Sequence, residues 1–449
     1  MTLQLDFEPS LQRWLLVLGV GVLGGWLASA SLLHFTVAAL TDPSIGASRE
    51  LLESAVSYFP NASKLHARLA ANLVESQIDQ QQDHAQLAAL AGAHLHTAIR
   101  LAPSQFDHYV LLAVVAEQQD DLAGARAALQ HALQLAPHRL SLHWRLGNLQ
   151  LRMGQLTEAA QVFARIVKAN PAYLPEALSL LWQAGDGQLA LLTTLAGEVP
   201  AQQLALANFL AGQEQYEAAT SIFAGLLRAQ PASAAALPQA GELLTRLLGA
   251  GQYAMAAQLW TGLGANTQPW GPGAIWNGGF ERPLQLGFSQ FDWNFSVNPR
   301  VRVGITNESA QQGQASLKLV YLGKETTRLE HEVRQLVLLA PGVHYRLECL
   351  VKTESLQAPD GPQIALLRVS DQTVLAASPV IANGTRDWQP LRVEFTAPPA
   401  GLTPAWVTLR QIPQFSYTEP THGTVWFDEF RLTALAGKSA GQNTDATPH

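Results

Sequence analysis

The chain carries 13 histidines, and eight of them, His66, His84, His94, His96, His108, His131, His138 and His143, crowd one stretch. Metal binding is the chemistry such density would suit. The spacing argues otherwise, because His94 and His96 sit two apart and would diverge on a helix, so surface and inter-repeat packing roles are expected. His331-Glu332 begins like a zinc-protease helix, but Gln335 stands where the second histidine is required, and the surrounding pattern is that of a strand. Glu330, Glu332, Asp387 and Glu394 are the acids that could be paired for glycoside hydrolysis, which needs two carboxylates flanking a cleft. Nothing in their spacing selects a pair. Cys349 is the only cysteine, which excludes an intramolecular disulfide or a multi-cysteine metal centre. In HYRLECLVK it alternates with Tyr345, Leu347 and Val351, so a buried, unreactive thiol is expected. No phosphate-cradling glycine loop and no G-x-S-x-G elbow occurs. The expectation is a protein without catalysis, to be overturned only if two carboxylates share a deep cleft.

The elements that position these residues follow from length and patterning. At 449 residues about three structural units are expected. Hydrophobic residues make up 48% and charged residues only 14%, which excludes a largely disordered, highly charged chain. The net charge of -7 provides no basic field, so no nucleic-acid partner is expected.

Residues 1–13 form a short tail, and Trp14 to Leu40 then runs without Asp, Glu, Lys or Arg. As a helix this stretch would span roughly 40 Å, more than a hydrocarbon core of about 30 Å, so a tilted single-pass membrane helix is expected over 14–40. The alternative is a cleaved leader, since Ala28-Ser29-Ala30 has the small residues of a cleavage site. Asp6 and Glu8 ahead of the run, and its continuation past that site, favour an uncleaved anchor. Arg13 and Arg49 flank it almost symmetrically and leave orientation open. His34 is expected near the far interface.

Residues 42–265 repeat. Pro103, Pro137 and Pro171 are 34 apart, and between them residues recur in register: Leu146-Gly147, Gly154, Leu156, Ala159 and Phe163 answer Leu112-Ala113, Asp120, Leu122, Ala125 and Leu129. Small residues let paired helices approach, larger ones fill the space between, and proline ends the second helix. In this pattern the stretch resembles the tetratricopeptide repeat. Weaker copies lie around Leu69-Ala70, Ala91 and Ala98 with an insertion at IDQQQDHAQ, and around Leu206-Ala207, Tyr216, Ala219 and Phe223. A further copy includes Tyr253, Ala256 and Trp260, and the unit between Pro171 and Pro200 is shortened. Five or six repeats suffice for a solenoid. The resemblance implies a protein or peptide partner on the concave face.

A Pro- and Gly-rich linker at 266–275 leads into residues 276–436, which alternate with period two. VRVGIT, ASLKLVYL, HEVRQLVLL, HYRLECLVKT, QIALLRVS, LRVEFTA, WVTLRQI and TVWFDEFRL are the candidate strands, expected to form a two-sheet β-sandwich. Asn277-Gly278-Gly279-Phe280-Glu281 opens the domain. Gly313-Gln314-Ala315-Ser316-Leu317, Pro341-Gly342, Gly384-Thr385-Arg386-Asp387-Trp388 and Val425-Trp426-Phe427-Asp428-Glu429 follow in order. This succession resembles the jelly-roll carbohydrate-binding modules of the family 4/9 and 22 type. The resemblance implies sugar rings stacked on aromatic side chains, with Trp293, Tyr321, Trp406, Phe415 and Tyr417 as candidates. Trp388 and Trp426 are expected in the core. The resemblance also implies a structural calcium ion at Glu281 and Asp428, completed by backbone carbonyls. Residues 437–449 form a polar tail, expected to be disordered.

The expected protein is therefore multidomain, α then β: a membrane helix, an all-α repeat solenoid and a C-terminal sandwich. Its expected role is that of an envelope scaffold of bacterial type, in assembly or export of a surface polysaccharide, with its bulk outside the cytoplasm. A cytoplasmic topology stays open, as does a purely protein-binding scaffold whose sandwich reads no sugar.

Overall fold

The computed structural model describes residues 11–42, 46–76, 84–229, 238–263, 271–284, 290–415 and 419–435. The first ten residues, most of the IDQQQDHAQ insertion, half of the linker, Tyr417 and the C-terminal tail lie outside them. The chain divides into two compact units, 1–196 and 197–449.

In the first unit, α1 (Leu11–Thr41) is one uninterrupted helix. Within it, Leu16–Thr41 is long and apolar enough to cross a membrane, and its most apolar window is not buried against the rest of the chain. Next come α2 (Arg49–Tyr58) and four antiparallel helix pairs: α3 (Ser63–Ser76) with α4 (His84–Leu101), α5 (Phe106–Gln118) with α6 (Leu122–Leu135), α7 (Leu140–Arg152) with α8 (Leu156–Ala169), and α9 (Leu174–Ala184) with α10 (Leu189–Ala196). Pro103, Pro137 and Pro171 follow the ends of α4, α6 and α8, where a missing N–H and a ring clash stop the helix. Packing gives the physical reason for the small residues. A Cβ on Gly147 would lie 2.5 Å from the Phe163 ring, and Phe163 is fully buried. Burying such a side chain stabilises by about 1.5–3 kcal/mol. Of the histidines, His66 and His108 are buried, and Nδ1 of His66 lies 3.0 Å from Nδ1 of His94 across the α3–α4 pair. These are packing positions.

In the second unit, α11 (Pro200–Gly212) pairs with α12 (Tyr216–Ala229), and α13 (Pro238–Gly249) with α14 (Tyr253–Gly262). The helical part is joined to the strands by aromatic packing. Trp260 on α14 meets Trp276 edge-on, with centroids 5.1 Å apart, and lies 5.7 Å from Phe291. Gln290 Nε2 donates to the carbonyl of Gly241 on α13.

Ten strands form two antiparallel sheets: β1 (Asn294–Phe295), β2 (Val301–Thr306), β3 (Ser316–Leu322), β4 (Val333–Leu339), β5 (His344–Gln357), β6 (Gln363–Arg368), β7 (Val374–Ala377), β8 (Gly384–Thr396), β9 (Thr403–Arg410) and β10 (His422–Ala434). One sheet has the order β1-β4-β9-β6-β7 and the other β2-β3-β10-β5-β8. The period-two pattern is sharpest in β5, where Tyr345, Leu347, Cys349 and Val351 point inward. Between the sheets lies a core that includes Leu317, Leu319, Val337, Ile364, Val407, Val425 and Phe427. The α-then-β order and the two-sheet sandwich expected from the sequence are observed. Two short edge strands, β1 and β7, join them where no strand was expected, and β8 begins at Gly384, ahead of the candidate strand LRVEFTA.

Candidate functional site

Strand register decides which side of a sheet each residue faces. In the β4-β9-β6 part of the first sheet, Ala405, Val407 and Leu409 enter the core. Pro404, Trp406, Thr408 and Arg410 must therefore face away from it. Trp406 is flanked by its partners Leu336 on β4 and Leu367 on β6. Thr408 lies between Arg334 and Ala365, and Arg410 beside Gln363. The result is a sheet face with a buried apolar floor of Leu336, Leu338, Ala365 and Leu367, on which the half-buried Trp406 stands.

The charges around this face come from β4, β9 and the segment that leads into β4. The Arg334 guanidinium lies 4.5 Å from the centroid of the Trp406 ring, and among the described residues no carboxylate pairs with it. Arg410 reaches Glu330 only loosely, at 3.9 Å, and its buried Nε has no hydrogen-bond partner among the described residues. Glu330 bonds Arg328 at 2.8 Å, which holds its carboxyl below the usual range. Glu332 is pulled upward by burial, but it accepts N–H groups from Glu330 and His331 and the Asn298 amide, and the net effect holds it low. Glu394 pairs with Arg346 on the other sheet. These carboxylates are engaged in structural bonds.

The five aromatic candidates separate. Trp293 and Tyr321 are corrected to core residues, 2% and 4% exposed. Trp293 packs on Phe280 and Phe430 and donates its Nε1–H to the Asn277 carbonyl. Tyr321 shares the inward face of β3 with Leu317 and Leu319, and burial pushes its phenol upward. Phe415, 51% exposed, stands in the loop after β9. Tyr417 lies outside the described residues. Trp426 is buried as expected but faces away from the core, beneath the ammonium groups of Lys318 and Lys352 at 5.4 and 5.8 Å. Trp388 is half-buried on β8 rather than enclosed in the core. Arg334 and Arg410 escaped the sequence reading. Their proximity to Trp406 arises from pairing between distant strands, and the only local signal is their parity within WVTLRQI and HEVRQLVLL.

Glu281 and Asp428 come to one corner of the second sheet. Glu281 Oε1 accepts the N–H groups of Gln314 and Ala315 at 2.8 Å each. Asp428 is fully buried and accepts N–H groups from Gln311, Gln312 and Glu429. A bulge after Asp428, with Glu429 at φ 53°, brings Phe430 against Gly278, where a Cβ would lie 2.0 Å from the Phe430 carbonyl. Gly279 leaves a cradle here, since a Cβ on it would meet Glu429 Oε1 at 2.9 Å and Asp428 Oδ1 at 3.7 Å. The donor chemistry fits a hard cation. Among the described residues, however, no group of three or more His, Cys, Asp or Glu is placed to hold a metal ion, so backbone carbonyls would have to complete the set.

The helical array offers a second surface. Val114, Glu117 and Gln118 on α5 face Arg145, Asn148, Leu149 and Arg152 on α7 across a cavity of about 580 Å³. Arg152 bonds Glu117 across it. Arg145, Asn148 and Arg152 recur at helical spacing on one face of α7, the sort of stripe that can meet an extended segment.

Residues 116–184 match the family model described as tetratricopeptide repeat. No curated protein sequence matches the chain significantly. Among solved structures, MamA is 16% identical over 32% of this chain and 76% of its own, with a TM-score of 0.27. A structure described as CBM4 is 16% identical over 36% of this chain and 99% of its own, with a TM-score of 0.27. The CBM22-1 xylan-binding domain of Paenibacillus barcinonensis Xyn10C is 18% identical over 32% and 86%, with a TM-score of 0.22. Residues 116–184 thus match tetratricopeptide repeats within an array of helix pairs, and a two-sheet antiparallel β-sandwich follows that array.

Proposed function

We propose that the protein is a membrane-anchored scaffold without catalysis, whose repeats hold a protein segment and whose sandwich contacts a glycan in assembly or export of a surface polysaccharide. The observation that carries the glycan reading is Trp406, a half-buried indole standing on an apolar floor and rimmed by Arg334, Arg410 and Gln363. A pyranose presents an apolar C–H face and a polar rim, and such a face meets both. The α5–α7 groove supports the peptide partner, and α1 supports the anchor, with the bulk of the chain on the outer side of the membrane. When bound, calcium at Glu281 and Asp428 would tie the opening loop to β10.

The test is affinity electrophoresis of the full chain in detergent micelles through gels containing soluble polysaccharides. Retardation that disappears in Trp406→Ala, with the melting temperature retained, supports the reading. The same mobility in every gel would instead favour a sandwich that serves only as a protein-binding surface. The capping of Trp406 by Arg334 is the feature that favours that second reading.

A further inference from the structure

Resting on the glycan reading of the Trp406 face, we propose that its ligand is an anionic sugar, a pyranose bearing a carboxylate, and that Arg334 is the residue that selects it. The guanidinium of Arg334 covers the Trp406 ring at 4.5 Å. A neutral sugar stacking on that side must push the cation aside and leave it without a partner. A uronic acid brings the partner with it. Its planar carboxylate matches the guanidinium fork in a bidentate pair while the sugar's C–H face takes the indole.

Two further features point the same way. Arg410 lies on the same side of β9 as Trp406, and among the described residues its buried Nε has no hydrogen-bond acceptor and its carboxylate partner, Glu330, stands 3.9 Å away. The nearest acids are already committed: Glu330 to Arg328, and Glu332 to two N–H groups and the Asn298 amide. Among the described residues, the face thus presents one guanidinium without a carboxylate partner and one held only at 3.9 Å, beside the half-buried Trp406. That charge pattern complements a carboxylated chain and gives a neutral one no advantage. Arg334 shares its row with Thr408 and Ala365, and Arg410 stands with Gln363 in the next outward row along β9, so a uronate chain would meet the two arginines in adjacent rows.

The experiment compares polygalacturonate with its methyl-esterified form, using the full chain in detergent micelles. The ester keeps the sugar's shape and removes its charge. The acid form is expected to bind about tenfold or more tightly than the ester, a difference of about 1.4 kcal/mol. In Arg334→Gln the ratio is expected to fall towards one through weaker binding of the acid form, with the melting temperature unchanged. Arg334→Lys, which keeps the charge but not the fork, should retain part of the preference. Equal binding of acid and ester, or a ratio unmoved by Arg334→Gln, would overturn the proposal and leave the glycan reading standing. Failure of the folded chain to bind either polymer or neutral xylan would count against the glycan reading itself.

Discussion

Single residues carry specific physical duties here. Asp428 is a fully buried carboxylate satisfied by three N–H groups from two loops. Asp428→Asn places an amide nitrogen against at least one of those donors, and a loss of about 1–3 kcal/mol in urea unfolding is expected. If the corner holds calcium, added calcium should raise the melting temperature of the native chain and a chelator should reverse it, and neither should act on Asp428→Asn. Glu332 provides the pH dependence. Its carboxyl is held below the usual value, so its contribution to stability is present above the unfolded pKa of about 4.3 and is lost as pH falls through the folded value. The chain should therefore melt earlier at pH 3.5 than at pH 6, and Glu332→Gln should flatten that difference. Parity within strands made Cys349 legible in advance as a core residue, while the same signal at Tyr321 was passed over. Tyr321 follows Leu317 and Leu319 at even spacing, which marks the core side, whereas Trp406 alternates with Ala405 and Val407 and so stands on the opposite side. The Arg334–Trp406 contact could not be read, because it depends on the register of strands some seventy residues apart.

At the scale of elements, regular patterns were read well and irregular ones were not. The repeats announced themselves because small residues and prolines recur for a packing reason: the Gly147 position has no room for a side chain beside Phe163. Gly147→Ala is expected to cost about 1–3 kcal/mol, read as a lower denaturation midpoint of the helical signal. The strands β1 and β7 were missed since two and four residues at a sheet edge carry too little alternation to register, and the first part of β8 was missed because Asn383-Gly384 signals a turn just where the strand begins. The packing of α14 on the sandwich was also hidden. Trp260 is 2% exposed, and its partners Trp276 and Phe291 lie beyond a Pro- and Gly-rich segment. Trp260→Ala should cost about 3–5 kcal/mol and separate the unfolding of α11–α14 from that of the strands, which calorimetry would show as two transitions in place of one.

On the scale of the whole molecule, the account joins a helix suited to lipid, a repeat array suited to a peptide and a sandwich suited to a sugar. Composition and periodicity made these three parts legible. The ligand was not, since a framework of turns and core positions is shared by domains that bind different things. The central claim is that a glycan is met on the Trp406 side of the sandwich and nowhere else on it. Hydrogen exchange of the full chain in micelles, with and without a saturating soluble polysaccharide that retards it, tests this most directly. The account predicts added protection confined to β4, β6, β9 and the loop containing Phe415. Protection on β3, β5 and β10, around Trp426, or no change anywhere, would contradict it.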